Sequence, residues 1–149
     1  MEEGLQDLGS IEHVGAAFVC DNAGEVLAAS TPHVLATVTM SHIGRTAAQI
    51  LSAMEAARRR VDQVELAYDT WRLFVRDLGP GVLVVVSEPG IDTAFLRMEM
   101  DVLAAGWRSD RGVRKRLERG SAAARTALVS PAALGETSWH SWNLLAAGS

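Results

Sequence analysis

The side chains able to do chemistry in this 149-residue chain are few and scattered. Cys20 is the only cysteine, so the chain can close no internal disulfide and build no cysteine-rich zinc site. No sequence partner marks it as a nucleophile, and free cysteines mostly pack as small buried hydrophobes. The four histidines, His13, His33, His42 and His140, lack H-x-x-H and H-x-x-x-H spacing, so no metal site is expected. Ser138, His140 and Ser141 are close in sequence but fall on a tail where no scaffold would hold a nucleophile against its base. The single lysine, Lys115, lies in a basic stretch outside any G-x-x-x-x-G-K-[ST] loop, so the chain is not itself a P-loop GTPase. No G-x-G-x-x-G follows a strand. These patterns predict a protein that is not an enzyme and holds neither cofactor nor metal.

Charge is distributed unevenly about a net of −4. Residues 1–107 carry fifteen acids against seven arginines, a balance of −8, whereas residues 108–125 carry seven bases against Asp110 and Glu118, a balance of +5. An acidic body disfavours general nucleic-acid binding, which needs a basic face to neutralise phosphates. The apolar run Val82 to Val86 is too short to cross a bilayer, and the acidic start Met1-Glu2-Glu3-Gly4 is unlike a basic secretory leader. A cytoplasmic location without stable membrane insertion is expected. Thirteen arginines to one lysine fit a GC-rich bacterial genome, a codon effect and not a physical one.

Positioning any of these residues requires a scaffold, and its elements are legible from hydrophobic period. Met1 to Gly9 reads as a short helix. Val14 to Cys20 is apolar on both alternating faces, which suits a strand covered on both sides. Asp21-Asn22-Ala23-Gly24 is turn chemistry, leading into the returning strand Glu25 to Ala29. Thr31 and Pro32 can open a helix, and Ala36, Met40, Ile43, Ala47, Ile50, Met54 and Ala57 then recur at helical steps to about Arg60. Gly44 lies mid-helix at a cost of about 1 kcal/mol relative to alanine, which points to close approach of another backbone or to a kink. Val64, Leu66 and Tyr68 alternate with Glu65, Ala67 and Asp69 in a third strand. Asp69-Thr70 turns into a fourth, with Trp71, Leu73 and Val75 on one face and Arg72, Phe74 and Arg76 on the other. Gly79-Pro80-Gly81 turns into Val82 to Val86, apolar throughout. Asp92 can cap a last helix with the stripe Leu96, Met100, Leu103 and Trp107, flanked by Phe95, Met98 and Val102, and with Arg97 and Asp101 as an i,i+4 pair.

Short turns within each strand group require antiparallel pairing, since parallel neighbours need long crossovers. The predicted class is α/β (α+β): a three-layer sandwich in the order αββαβββα. Its five-stranded antiparallel sheet carries the long second helix on one face and the first and third helices on the other.

This order, with the Asp21-Asn22-Ala23-Gly24 turn, Val26 to Ser30, the alanine-rich helix, the hairpin of Val61 to Tyr68 with Trp71 to Arg76, Leu83 to Val86 and the helix Asp92 to Leu103, resembles the Roadblock family. That superfamily includes dynein light chains and bacterial GTPase regulators. The resemblance covers residues 10–107, placing a Roadblock-like domain in 1–107 and leaving 108–149 as a basic segment and Trp-containing tail. It implies a homodimeric scaffold that binds a small Ras-like GTPase and modulates its GTP hydrolysis or signalling. Family members dimerise through the edge of the third strand, while their second helices pack across the two-fold. Carried onto this chain, that interface would use Ser41, Gly44, Arg45, Ala48 and Ser52 on the helix. On the strand it would use Val64, Glu65, Leu66, Ala67 and Tyr68. An exposed edge from Val61 to Tyr68 is a liability that pairing would remove. Ser41 and Ser52 also read as plain solvent-facing positions. His42, Arg45 and Gln49 are the expected GTPase-facing residues; Arg45 reads either as an arginine finger, worth about 10³–10⁵ in rate, or as an ordinary helix-surface arginine. The alternative reading is a profilin- or PAS-like sensory domain, which needs a core pocket with convergent polar groups.

The stretch Arg111 to Arg119 places Val113, Leu117, Ala124 and Leu128 in a thin apolar stripe amid positive charge. It reads as a solvated or loosely docked segment, or as a surface for an acidic partner, an anionic membrane or nucleic acid. Trp139, Trp142, Leu144 and Leu145 either fold back onto a groove or anchor a partner.

Overall fold

The computed structural model describes residues 1–30, 36–59 and 61–128. The proposed helix start at Thr31 and Pro32, and the tail with Ser138, Trp139, His140, Ser141, Trp142, Leu144 and Leu145, lie outside the described residues.

The two stretches apolar on both faces, β1 (Val14–Asp21) and β5 (Gly81–Ser87), pair with each other inside an antiparallel five-stranded sheet. The strand order is β2 (Val26–Ser30), β1, β5, β4 (Arg72–Asp77), β3 (Gln63–Ala67), which leaves β2 and β3 at the two margins. Strands apolar on both sides must be covered on both sides, and they are. One face is covered by α2 (Thr37–Ala56), whose Met40, Ile43, Ala47 and Leu51 pack on Phe18, Leu73, Val75 and Val84. The other face takes α1 (Glu2–Gly9), α3 (Thr93–Ser109) and α4 (Arg111–Leu128). There Leu5, Leu8, Leu96, Met100 and Trp107 meet Val19, Phe74, Leu83 and Val85. The expected sandwich therefore forms, with α2 alone on its side.

Residues 111–120 of the basic segment are packed helix. Val113 and Leu117, four residues apart, are buried in the same core as α1 and α3, while the arginines between them stay exposed. Arg116 reaches across to Glu2 on α1 and donates to the carbonyl of Leu27 on β2. So α4 ties the last described helix to the first one and to the β2 margin.

Local signals work as the residue types dictate. Asp92 accepts from the Phe95 N–H at 3.1 Å and caps α3. The Tyr68 N–H donates to the Trp71 carbonyl at 3.0 Å to close the β3–β4 hairpin, and the two rings stack with centroids 4.2 Å apart. Two expectations are corrected. Arg97 and Asp101 do not pair along α3, because the sheet margin offers nearer partners. Arg97 donates to Glu65 on β3 at 2.9 Å, and Asp101 accepts from Arg76 on β4 at 2.7 Å. In α2 the buried stripe takes in Leu51, whereas Ile50 and Met54 are only half-buried and Ala57 is exposed.

Candidate functional site

Two features stand out as surfaces able to receive another chain: the β3 margin and the outer side of α2. Within β3 the ladder to β4 runs Gln63–Arg76, Val64–Val75, Glu65–Phe74, Leu66–Leu73 and Ala67–Arg72. Asp77 N–H donates to the Asp62 carbonyl and Tyr68 N–H to the Trp71 carbonyl, so the even-numbered residues of the strand point their backbone groups toward β4. By the alternation of an antiparallel ladder, Gln63, Glu65 and Ala67 turn theirs outward, where no described strand pairs with them. That row is a template for a further strand.

Side chains of this margin differ on its two faces. Toward α2, Val64, Leu66, Tyr68, Trp71 and Val86 are half-buried and line the edge of the core that α2 leaves uncovered. Burial pushes the Tyr68 phenol above its ordinary value. On the opposite face Glu65 accepts from Arg72 at 3.3 Å and from Arg97 at 2.9 Å, a charged clamp that holds β3 to α3.

On α2 the expected residues do not form one open face. Gly44 and Ala48 are buried beneath the helix in this same subunit. A Cβ on Gly44 would lie 2.4 Å from Cys20 Sγ, and Gly24 Cα is 3.7 Å away, so the close approach that glycine permits here is to the β1–β2 hairpin. Gly24 has φ +89°, and a Cβ there would meet the Ser41 carbonyl oxygen at 2.5 Å. Both glycines serve one contact. Arg45 belongs to it too, its Nε donating to the Ala23 carbonyl at 3.0 Å. Asp21 completes the turn, with Oδ1 accepting from Ala23 N–H at 2.9 Å and Glu25 N–H at 3.0 Å.

Ser41, Gly44, Arg45 and Ala48 therefore face the chain's own hairpin and sheet. Helical projection puts Thr46, Ile50 and Met54 on the opposite flank of α2. Helical spacing puts Ile50 and Met54 in one apolar stripe with Met40, Ile43 and Ala47, yet they sit one step off the buried line that runs on to Leu51. Of the expected partner-facing residues, His42 is half-buried and Gln49 is exposed. Gln49 and Ser52 line a cleft of about 760 Å³ at the end of the sheet, with Glu55 from the helix, Arg59 from the segment after it, and Asp62 and Asp77 beside or at the strand ends.

Cys20 is buried, and burial with the neighbouring Asp21 charge pushes its thiol up to about 12, so it stays protonated at neutral pH. Among the described residues no group of three or more His, Cys, Asp and Glu could hold a metal ion, and no helix is long and apolar enough to cross a membrane. A core ligand pocket of the sensory-domain kind would have to open between layers. Phe18 and Leu73 fill one interlayer space, and Phe74 and Leu83 the other, all at full burial.

No family model matches the chain and no curated protein sequence does. Among solved structures it is similar to a Roadblock/LC7 domain from Streptomyces avermitilis, with 25% identity and a TM-score of 0.63 over 72% of this chain and 94% of that one. It is similar to an MglB in a tetrameric arrangement, at 18% identity and a TM-score of 0.60, covering 79% and 88% of the two chains. MglB of Myxococcus xanthus is a third, at 12% identity and 0.62 over 72% and 90%.

Proposed function

Because the chain has the Roadblock/LC7 fold with its third strand at an open margin, we propose that it is a homodimeric, non-catalytic scaffold of a bacterial cytoplasm. It binds a small Ras-like GTPase and modulates its GTP hydrolysis or signalling. The observation that carries this reading is the outward-turned backbone of Gln63, Glu65 and Ala67. A second copy pairing there would satisfy those groups and draw a second α2 over the half-buried Val64, Leu66, Tyr68 and Trp71. On the helix, the flank with Thr46, Ile50 and Met54 suits that contact better than the Ser41, Gly44, Arg45 and Ala48 face, which the hairpin occupies. A dimer of this kind would bury roughly 1,200–2,000 Å² in total.

His42 and Gln49 are the proposed GTPase-facing positions. Arg45 supports no arginine finger, since its guanidinium already holds the Ala23 carbonyl; the chain would act by reshaping the GTPase's own catalytic groups. The MglB in a tetrameric arrangement is a self-associating protein of the same fold, which supports an interface between copies.

The test has two parts. Light scattering after gel filtration should give twice the chain mass of 15.9 kDa. Immobilised protein should then retain a small Ras-like GTPase from the same genome in one nucleotide state and not in the other. A monomer, or equal failure to retain the GTPase in both states, would overturn the reading.

A further inference from the structure

A second surface lies on the face of the sheet opposite α2. In α4 and the last turn of α3, the side chains of Arg108, Arg111, Arg114, Lys115 and Arg119 are exposed, and none has an ion-pair or hydrogen-bond partner among the described residues. Arg116 alone of this group is engaged, with Glu2 and Leu27. The cations do not stand over bare polar surface. Beside them, between α3, α4 and the β4–β5 turn, is a groove of about 280 Å³. Its floor includes Trp107 and Leu117, exposed only 7% and 4%, and its rim carries Arg108 and Arg114 with Asp77 and Glu118. That volume suits one large apolar side chain and falls at the small end for a whole drug-sized ligand.

We infer that the α3–α4 surface docks an extended acidic protein segment, its carboxylates lying along Arg108, Arg111, Arg114, Lys115 and Arg119 while one bulky apolar side chain enters the groove over Trp107. Charge complementarity selects the occupant. Val113 and Leu117, the apolar residues of α4 within 111–120, are turned inward, so that stretch of α4 presents its cations and no apolar stripe of its own; the exposed apolar side chains of this layer, Phe95, Met98 and Val102, lie on α3. A flat anionic membrane or a duplex would also have to meet exposed Glu3 and Asp7 of α1 on the same face of the sheet, whereas a single extended strand can follow α4 alone. Rim charges of this kind steer and select a partner, and the buried pocket supplies the anchor. The surface is separate from α2 and from β3, so it stands or falls independently of the GTPase reading.

The probe is a fluorescently labelled peptide of glutamates around one central leucine, titrated against the full chain at moderate salt and read by anisotropy. Saturable binding is expected, weakened about tenfold or more in the double variant Arg108→Ala, Arg114→Ala and untouched by Arg58→Gln on the other layer. Replacing the central leucine by serine should weaken binding in the wild type and change little when Ala104→Trp fills the groove. Equal affinity for the wild type and the arginine double variant would overturn the proposal, as would indifference to the leucine. So would tighter association with phosphatidylserine vesicles or duplex DNA than with the peptide. All the arginines changed are exposed, and an unaltered circular dichroism melt confirms that the fold is intact.

Discussion

His13 adopts φ +74°, a region side chains other than glycine seldom occupy, at the corner between α1 and β1. Its ring turns back so that Nδ1 lies 3.0 Å from Glu88 Oε2, while its carbonyl accepts from the Glu88 N–H at 2.9 Å. One residue thus joins the start of β1 to the end of β5 twice. The hydrogen bond to Glu88, helped by the Glu12 charge, holds the imidazole above its ordinary value of 6.5. A raised value in the folded state means the contact adds stability at pH values below 6.5 and loses it as pH rises through the folded value. The thermal midpoint should therefore fall between about pH 6 and 8, and Glu88→Gln should flatten that part of the curve. Both partners are exposed, so the effect is small. A midpoint whose pH dependence is the same with and without Glu88 would show that the contact contributes nothing.

Among the elements, the approach of α2 to the β1–β2 hairpin is the tightest fit. Glycine at position 44 costs the helix about 1 kcal/mol against alanine, yet a Cβ there would fall 2.9 Å from Cys20 Cβ as well as close to its sulfur. Overpacking of this kind costs roughly 1–3 kcal/mol, enough to exceed the gain in propensity. Gly44→Ala should lower the urea midpoint in the wild type, and should cost less in a Cys20→Ala background, where the sulfur is gone. Equal costs in the two backgrounds would place the strain elsewhere. The sequence showed that this glycine needed a reason but not what approached it, because Cys20 and Gly24 are brought under α2 only by the sheet. The same limit explains Arg97 and Asp101: their spacing fits a helix-surface pair, and only the arrival of β3 and β4 beside α3 supplies Glu65 and Arg76. The β1 and β5 strands, the Asp21 turn and the Asp92 cap were legible because each rests on neighbours in sequence.

At the scale of the molecule, the two halves of the candidate interface differed in how well they could be read. Alternation along Val64, Leu66 and Tyr68 placed the strand, and its position at the margin is what the structure shows. The helix half was less legible, since a small-residue face marks a close approach without saying to what; here Gly44 and Arg45 meet the chain's own hairpin. If folding is completed by a second copy, mass action makes the thermal midpoint rise with protein concentration. Ala67→Pro removes one outward N–H while leaving the β4 ladder intact, a change tolerated on edge strands. That variant should melt at a midpoint independent of concentration, and concentration dependence that survives it would move the contact away from β3.

The two margins of the sheet are not equivalent. At β2 the Leu27 carbonyl accepts from Arg116 of α4, whereas no side chain among the described residues takes a β3 carbonyl. Were a second copy to pair at β3, the margins left at the ends of the joined sheet would be the two β2 strands, each carrying that contact. A strand added at β2 would have to displace that bond, and charge loss at Arg116 would remove the obstacle.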